Sequence, residues 1–435
     1  RIKLQEKEFF ETRDDGISNA PNAAERNRLI QLLPANKPEL WAEYDDALHS
    51  AECTSKFILE GARYPLTGHG DVNTYPVFAE LILRSLAPRG CGGFIVPTGI
   101  ATDDGNKEFF GYLVEASRLA SLFDFENRKK IFPNVDSRFK FSLLTIGPAE
   151  REREASFSFF ALDPLDLNDP RRVFELTSAD FLRINPNTKT CPIFRTRHDA
   201  ELTKKIFTRT PILVNERAGV KVYDVWMRQG LYHMTNDVRK GHIRYAAPLP
   251  NTMAVPLYEA KIIWQYESQY CSFEGGDYLS IDKTRENDSV GYRVKTEYDV
   301  DKTENDRRLM ANKWDRGWIF AYRNITNTTN ERTLVASMIP RVAPVFSFRL
   351  TFGFEPTLRF AQLLSLYNSI VFDYVVRQKL GGTNLSDYIV NQLPVLAPAV
   401  FPEATFLMGA ILELQYTSWD IKAFADDLWR EADGE

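Results

Sequence analysis

The sequence predicts an α/β fold, in which a doubly wound sheet ending in an antiparallel pair is followed by an α+β domain. Helix-like and strand-like segments alternate from residue 71 to residue 125, which is the rhythm of a doubly wound sheet. Two strand-like runs, residues 139–146 and 155–162, then follow each other without a long helix between them. Beyond Asp163-Pro164 the alternation stops, and short strand-like runs lie among polar loops.

The elements of the first domain are predicted from hydrophobic periodicity and turn residues. Residues 19–33 and 38–63 carry leucines and aromatics at helical spacing, and an apolar helical face continues to Leu86. The run at 93–97 lies between glycine and proline and is typical of a buried parallel strand. A second helix and strand are predicted at the positions that follow, 106–119 and 121–125.

Beyond the first domain the predicted elements are shorter and more scattered. Strands are expected at 260–266, 317–322 and 333–338, and a long helix at 356–379 ends before Gly381-Gly382. The last segment is helical and acidic. We therefore divide the chain into a first domain, a linker, a second domain and a helical tail, at 1–165, 166–214, 215–400 and 401–435.

Composition excludes several classes of protein. With 435 residues, 44% of them apolar and 26% charged, the chain is long enough for more than one core and is not a disordered segment. The net charge of −5 means that any nucleic-acid surface is a local patch. The cysteines are not spaced in the pairs typical of a secreted disulfide-bonded protein, which predicts a cytoplasmic protein. No apolar run reaches the about 20 residues that span a membrane, so no membrane partner is predicted.

One local patch combines positive charge with aromatic residues. Between Ala311 and Leu350 basic residues outnumber acidic ones by six to two, and Trp314, Trp318 and Tyr322 are interleaved with them. Cations beside aromatics suit a phosphate backbone with bases to stack on. The same pattern also fits a solvated sheet face whose aromatics point into the core.

Motifs for metal or nucleotide chemistry are absent from the sequence. It has no H-x-x-x-H, Walker or G-x-G-x-x-G motif, so no bound metal is predicted. One nuclease-like feature exists: Glu259 and Lys261 open a strand-like run, and Asp237 lies upstream of them. Acidic groups in this setting are what metal-dependent phosphodiester cleavage requires. A metal-dependent nuclease is accordingly one alternative for the function.

Several segments, in order along nearly the whole chain, resemble DNA adenine-N6 methyltransferases of the large type IIG-like class, which includes phage-defence enzymes. The first ten residues are similar to the segment that follows the Asn-Pro-Pro-aromatic tetrapeptide in that family. The other similar segments are residues 70–80, 93–100, 123–127, 131–141, 323–326, 331–333 and 391–396. The resemblance implies that the first domain is the second half of a class I methyltransferase sheet and that the second domain is a target-recognition domain.

The resemblance also implies a reaction and a partner. S-adenosylmethionine would donate a methyl group to the N6 atom of an adenine that is flipped out of double-stranded DNA. A Phe-Pro element packs on the flipped base in related enzymes, and Phe132-Pro133 matches it. Phe132 is therefore the predicted catalytic-site residue, unless it is a core phenylalanine before a turn. The basic side chains around it could hold nearby phosphates; they are Arg128, Lys129, Lys130, Arg138 and Lys140.

The sequence departs from this family in two respects. It contains no Asn-Pro-Pro-aromatic tetrapeptide, and the early donor-binding strands are missing. By analogy both are expected immediately before Arg1, in an N-terminal half that would act as a partner and hold most of the cofactor. The chain alone is then predicted to be inactive. A second alternative is a non-enzymatic DNA-specificity module that works with a separate catalytic chain.

Candidate DNA-contacting residues in the second domain are chosen by their hydrogen-bonding chemistry. Arg, Asn and Gln can form two hydrogen bonds to guanine or adenine edges, which favours Gln265, Arg323, Asn324 and Arg332 as base readers. Lys261, Lys313 and Arg316 are predicted to contact phosphates instead.

Overall fold

The computed structural model describes residues 2–150, 154–246, 253–281, 292–380, 382–401 and 404–432. It is a mixed α/β protein with several sheets. The chain forms two compact units. Unit 1 comprises Arg1–Phe181, Thr188–Cys191 and Arg195–Arg197, and unit 2 comprises Leu182–Asn187, Pro192–Phe194 and His198–Glu435.

Unit 1 is built on a mixed sheet. Its strands are β1 Gly92–Val96, β2 Leu119–Glu126, β3 Lys140–Ile146, β4 Ala155–Ala161 and β5 Phe174–Leu176. They lie in the order β1-β3-β2-β4-β5. Strand β3 is antiparallel to both β1 and β2, so β1 and β2 run in the same direction, and β4 runs parallel to β2. The carboxyl ends of β1, β2 and β4 therefore meet at one end of the sheet.

The strands predicted in the first domain are all present, but their pairing differs from the prediction. The run at 93–97, predicted to be a buried parallel strand, is the edge strand β1, which is partly exposed and pairs antiparallel with β3. The runs at 139–146 and 155–162 do not form an antiparallel pair with each other. Strand β3 lies between β1 and β2, and β4 lies on the far side of β2, where it also pairs with β5 in antiparallel fashion. Strand spacing along the sequence indicates how many strands exist but does not fix which side of β2 each one joins.

Unit 1 also contains helices. They are α1 Glu6–Phe10, α2 Asp15–Ser18, α3 Ala23–Gln31, α4 Leu33–Asn36, α5 Pro38–Glu60, α6 Thr74–Ser85, α7 Gly99–Thr102 and α8 Lys107–Glu115. Pro38 occupies the first turn of α5, where its missing N–H is not needed. Helix α8 ends before the predicted residue 119 because Ser117 adopts a left-handed φ of 52°. Its Phe109, Phe110 and Leu113 are fully buried.

The segment at 166–214, predicted to be a linker, contains regular structure. Besides β5 it holds α9 Ser178–Ile184 and α10 Arg197–Arg209. Short 3-10 turns occur in both units, at Asp104–Asn106, Asn127–Lys129, Pro164–Asn168, Ala260–Ile262, Pro398–Val400 and Trp419–Ile421.

Unit 2 contains two mixed or antiparallel sheets and two hairpins among the described residues. Its strands are β6 Val214–Asn215, β7 Val220–Lys221, β8 Val225–Gln229, β9 Ile243–Tyr245, β10 Ala254–Tyr258, β11 Cys271–Glu274, β12 Asp277–Ser280, β13 Tyr298–Asp301, β14 Trp318–Arg323, β15 Ala336–Pro340, β16 Ala343–Pro344 and β17 Phe348–Gly353. The sheets have the orders β16-β10-β13-β9 and β15-β14-β17-β8, and the hairpins are β6-β7 and β11-β12.

Helices complete unit 2 and correct one prediction. They are α11 Met234–Arg239, α12 Lys302–Ala311, α13 Thr357–Tyr367, α14 Ile370–Lys379, α15 Asp387–Val390, α16 Ala404–Gln415 and α17 Lys422–Ala432. The single helix predicted at 356–379 is two helices, because the Ser369 side chain caps the start of α14 by accepting a hydrogen bond from the Phe372 N–H. No helix in the described part of the chain is long and apolar enough to cross a membrane.

The aromatic residues of the predicted basic patch belong to the core. Trp314, Trp318 and Tyr322 are fully buried. The Trp318 ring packs edge-on against Phe360 of α13 and Phe424 of α17, with centroids 5.3 and 5.2 Å away. The expectation that these rings stack on bases is therefore wrong, and the alternative of a sheet with inward-facing aromatics is correct.

Strand β15 is bonded on both sides, although it is the last strand of its sheet. Ala336 and Met338 of β15 lie opposite Tyr322 and Phe320 of β14, and their backbone groups also bond to side chains outside the sheet. The Asn368 side chain accepts from the Ala336 N–H at 3.1 Å and donates to its carbonyl at 2.9 Å. Gln415 does the same for Met338, at 3.0 and 2.9 Å. The side-chain amides of Asn368 and Gln415 thus form the kind of hydrogen bonds that a further strand would form with β15.

Candidate functional site

A buried polar network lies at the carboxyl end of the unit 1 sheet. Asp124, near the end of β2, is buried and accepts hydrogen bonds from the Thr98 hydroxyl and, at 3.2 Å, from the Phe160 N–H. Ser142 of β3 donates to the Thr98 hydroxyl at 3.1 Å. Burial raises the pKa of Asp124, against the opposing effect of the Thr98 hydrogen bond. The network ties together the ends of β1, β2 and β4, which is where open α/β sheets bind ligands.

The segment after β2, residues 127–139, forms what we call the Phe132 loop. Asn127 is fully buried and uses its whole side-chain amide to hold this loop. Its Nδ2 donates to the carbonyls of Phe132 and Val135, each at 2.9 Å, and its Oδ1 accepts from the Phe132 N–H at 2.9 Å. One side chain therefore fixes the loop backbone on both sides of Pro133.

The Phe132 side chain is held in place but is not enclosed. It is 36% exposed, and its ring packs edge-on against Phe141 of β3 with centroids 4.9 Å apart. Phe141 in turn stacks on Phe125 of β2 at 5.5 Å. A ring with this exposure can accept a flat apolar partner, whereas a phenylalanine sealed in the core could not.

The basic residues around Phe132 are exposed and make local ion pairs. Arg128 and Lys140 both approach Glu126, at 2.6 and 3.5 Å, and Arg138 pairs with Asp136 at 3.0 Å. The Arg138 hydrogen bond lowers the pKa of Asp136. Surface pairs of this kind contribute little to stability, so their cations can exchange a carboxylate for a phosphate. Their roles in DNA binding stay predictions.

A second feature of this end of the sheet is a basic cavity, which we call the arginine cavity. Its volume is about 360 Å³, and its lining includes Phe159, Phe160, Asp169, Arg171, Arg172 and Arg195. Sequence analysis missed it because most of these residues lie in the segment taken as a linker. The dipeptide Arg171-Arg172 was the one available signal.

In unit 2, two predicted base readers use their polar groups inside the protein. The Arg323 guanidinium donates to the Ala260 carbonyl at 3.0 Å and to the Ile263 carbonyl. Burial lowers its pKa. Asn324 is buried and accepts from the Arg349 Nε at 3.1 Å. These side chains hold β14 and its surrounding loops. Their DNA-reading roles remain predictions, and contact with DNA would require both side chains to leave these partners.

Three further candidates lie in unit 2, and each has its own surroundings. Gln265 donates to the Asn368 carbonyl at 3.2 Å. Lys261 lies 3.6 Å from Glu259 and places its ammonium over the Tyr278 ring. Arg332 is half-buried. Lys261 and Gln265 are close in sequence to Ala260 and Ile263, whose carbonyls accept from Arg323, so these two candidates lie in the same part of unit 2 as Arg323.

Lys313 and Arg316 do come together, in what we call the aromatic cleft. Two adjoining cavities of about 360 and 320 Å³ share Lys313 and Phe354. The Phe354 side chain is 64% exposed and its ring lies 5.1 Å from that of Trp226. Arg316 donates to the Thr357 hydroxyl at 3.1 Å. The sequence predicts exposed rings beside cations at Trp314 and Trp318, which are buried. In the structure the exposed ring beside a cation is that of Phe354, next to Lys313.

The nuclease-like feature does not have the expected geometry. Glu259 precedes a 3-10 turn at Ala260–Ile262 and not a strand, because the Ile262 N–H bonds back to the Glu259 carbonyl at 2.9 Å. The carboxylate of Asp237 receives the Arg308 guanidinium at 2.7 Å. In the described part of the chain no group of His, Cys, Asp and Glu side chains could hold a metal ion.

Comparison with known proteins finds structural neighbours only. No protein-family model and no curated protein matches the sequence. Solved structures similar to this chain include the type IIG restriction endonuclease BpuSI (14% identity, TM-score 0.31) and the type IIL restriction-modification enzyme MmeI in complex with DNA (10%, 0.31). A third is the methyltransferase subunit of a type I restriction-modification system from Streptococcus thermophilus (13%, 0.25).

The shared lengths differ among these neighbours. The matches cover 85%, 82% and 31% of this chain for BpuSI, MmeI and the Streptococcus subunit. The corresponding shares of the neighbours are 47%, 52% and 34%, so this chain spans about half of their length or less.

Proposed function

We propose that this chain provides the base-binding wall and the DNA-reading part of a site-specific DNA adenine-N6 methyltransferase from a restriction-modification or phage-defence system. Its substrate is double-stranded DNA and its methyl donor is S-adenosylmethionine. The observation that carries the proposal is the partly exposed Phe132 ring, fixed by the buried Asn127 at the carboxyl end of the unit 1 sheet.

The chemistry of adenine methylation explains why such a ring is useful. A paired, stacked adenine hides its exocyclic nitrogen, so the base must leave the duplex before a methyl group can reach it. Leaving the stack costs free energy, which stacking on an aromatic side chain offsets by about 1–3 kcal/mol. A ring that is already oriented by Phe141 and by the Asn127 hydrogen bonds loses little entropy when the base arrives.

The methyl donor has to be bound elsewhere than in the arginine cavity. S-adenosylmethionine carries a sulfonium cation, whereas Arg171, Arg172 and Arg195 make that cavity basic. The sequence also contains neither a Gly-rich donor loop nor the Asn-Pro-Pro-aromatic tetrapeptide. When bound, the donor supplies an activated methyl group. The residues of this chain would orient the adenine and the duplex, and positioning of this kind can supply much of the rate enhancement.

Unit 2 fits the role of the DNA-reading part through its aromatic cleft. Lys313, Lys221 and Arg228 place positive charge around the exposed Phe354 ring. Positive charge attracts the backbone and an exposed ring packs on bases or sugars. The cleft therefore supports DNA contact by unit 2, with Lys313 as its central residue.

The test is methylation of genomic DNA in a host without adenine methylation. The gene product that contains this chain should modify adenine N6 at one recognition sequence, as mapped by single-molecule sequencing. Phe132→Ala should lower the rate of modification by about 5- to 150-fold, the equivalent of the lost stacking energy. Phe139→Ala is the matched control, since Phe139 is an exposed phenylalanine of the same loop. Absence of N6-methyladenine with the unaltered gene would refute the proposal.

The missing tetrapeptide favours one alternative, a DNA-specificity module that directs a separate methylase. Purified chain distinguishes the two cases when it is assayed with labelled S-adenosylmethionine and DNA. Both cases expect sequence-specific DNA binding without methyl transfer by this chain alone. Only the DNA-specificity module requires a second gene to be co-expressed before N6-methyladenine appears in the host. Methyl transfer by the isolated chain would contradict both cases.

A further inference from the structure

The arginine cavity has a defined origin in the sheet. The pairing of β2 with β4 shifts register between Phe123 and Phe125, which leaves Phe160 in a bulge. Phe160 has a left-handed φ of 58°, a conformation that a phenylalanine rarely adopts. Its N–H donates to Asp124 and its carbonyl accepts from Arg172 at 2.8 Å. Bulges next to active sites commonly re-aim a side chain in this way.

The bulge directs the Phe160 ring between two cations. The Lys140 ammonium lies 4.4 Å from the ring centroid and the Arg195 guanidinium lies 4.2 Å from it. A guanidinium that stacks on a ring keeps its N–H groups in its own plane, where they can still donate. Arg195 is exposed, so these donors can reach a ligand in the cavity.

The guanidinium groups of the other two arginines are positively charged and are held in place by neighbouring aspartates. Arg171 forms a bidentate pair with Asp169, with contacts of 2.8 and 3.0 Å, and this pair lowers the pKa of Asp169 to about 2. Arg172 lies 3.2 Å from Asp166. The lining of the cavity thus carries three arginines and one aspartate. Oriented arginines in a concave basic site match the geometry of a phosphate.

The arginine cavity and the base-binding wall formed by Phe132 lie at the same end of the sheet and are linked through two neighbouring residues of β3. Phe132 packs on Phe141, Lys140 precedes Phe141 in β3, and Lys140 lies over the Phe160 ring that lines the cavity. A DNA strand whose base packs on Phe132 must carry phosphates on either side of that base. A phosphate site is needed close to this wall, because phosphate contacts fix the register of a protein on DNA.

We propose that the arginine cavity binds a backbone phosphate of the DNA strand from which the adenine is flipped, with Arg195 and Arg171 as its donors. This rests on the proposed function. The basic residues inferred from the sequence do not include this site, most of which lies in the segment between the two predicted domains. The volume of about 360 Å³ leaves room for the phosphate and its adjoining sugar.

The experiment measures binding of fluorescein-labelled duplex DNA to the full chain by anisotropy, at several salt concentrations. Arg195→Gln should weaken binding to all duplexes alike and reduce the slope of log affinity against log salt by about 0.9, the value for one phosphate contact. Arg195→Lys should restore most of the slope. Arg171→Gln should act in the same direction, because it also leaves Asp169 to repel the phosphate.

Arg89→Gln is the matched control. Arg89 is an exposed arginine just before β1, so it lies at the opposite end of the sheet. A slope for Arg195→Gln and Arg171→Gln equal to that of the unaltered chain would overturn the phosphate site and leave the proposed function intact. A loss confined to one DNA sequence would also overturn it. Failure of the unaltered chain to bind any duplex would instead overturn the proposed function.

Discussion

Replacing Asn127 with alanine should loosen the Phe132 loop more than any other single change within it. The side chain is fully buried and makes three hydrogen bonds, two to carbonyls and one from the Phe132 N–H. Alanine makes none of them. The loop backbone around Pro133 then has no side chain to hold it against the end of β2.

The expected loss can be worked out from these contacts. Each hydrogen bond contributes about 1 kcal/mol net, so three contribute about 3 kcal/mol. Water can reach part of the exposed loop and recover some of this, which leaves a loss of about 2–3 kcal/mol in the free energy of unfolding. If the loop opens on its own, the loss is seen locally as faster cleavage rather than as a shifted global transition.

Two measurements check this expectation. Urea titration gives the free energy of unfolding, and limited trypsin digestion reports opening of the loop through cleavage after Lys129 and Lys130. Asn134→Ala is the control, because Asn134 is an exposed asparagine of the same loop. Equal free energies of unfolding and equal cleavage rates for Asn127→Ala and Asn134→Ala would refute the reasoning.

Three further results are expected. Arg323→Met should lower the free energy of unfolding by about 2–4 kcal/mol, because buried carbonyls lose a charged donor, whereas Arg332→Ala should change it by less than about 0.5 kcal/mol. Urea titration compares the two, and equal losses would contradict a structural role for Arg323. Burial raises the pKa of Asp124 above its usual 3.8, so its contribution to stability is lost as the pH rises from that value. Asp124→Asn should flatten this part of the stability curve, and an unchanged curve would contradict the prediction. Burial lowers the pKa of Lys379 well below 10.5, so its contribution is complete above that value and is lost as the pH falls. Lys379→Met should remove this slope in thermal unfolding measured against pH, and a slope identical to that of the unaltered chain would count against it.

The sequence predicts best those elements whose signal is local. The strands at 93–97 and 121–125 are flanked by turn residues and carry short apolar runs, and both are present as β1 and β2. The break between α13 and α14 was missed because apolar spacing continues across it. The Asn368-Ser369 dipeptide was a signal for it, since Ser caps helices and Asn favours turns.

Contacts between distant residues decide where the candidate site residues lie, and these contacts cannot be read from the sequence. Arg323 looks like a DNA contact in the sequence, but its partners are the carbonyls of Ala260 and Ile263, about 60 residues away. Trp318 has charged neighbours in the sequence, but its ring packs edge-on against Phe360 and Phe424 in the core. Asn127 could not be predicted for a different reason. Its partners are backbone groups, which every sequence supplies, so no residue pattern indicates these hydrogen bonds.

The amides of Asn368 and Gln415 have a consequence for how copies of this protein behave in concentrated solution. An unsatisfied outer strand is a template on which a second chain can add its own strand, and this starts aggregation. Because Ala336 and Met338 are already satisfied, that route is closed at β15. Removing both amides should therefore leave these backbone groups without their side-chain partners and make aggregation through β15 more favourable once the strand becomes accessible.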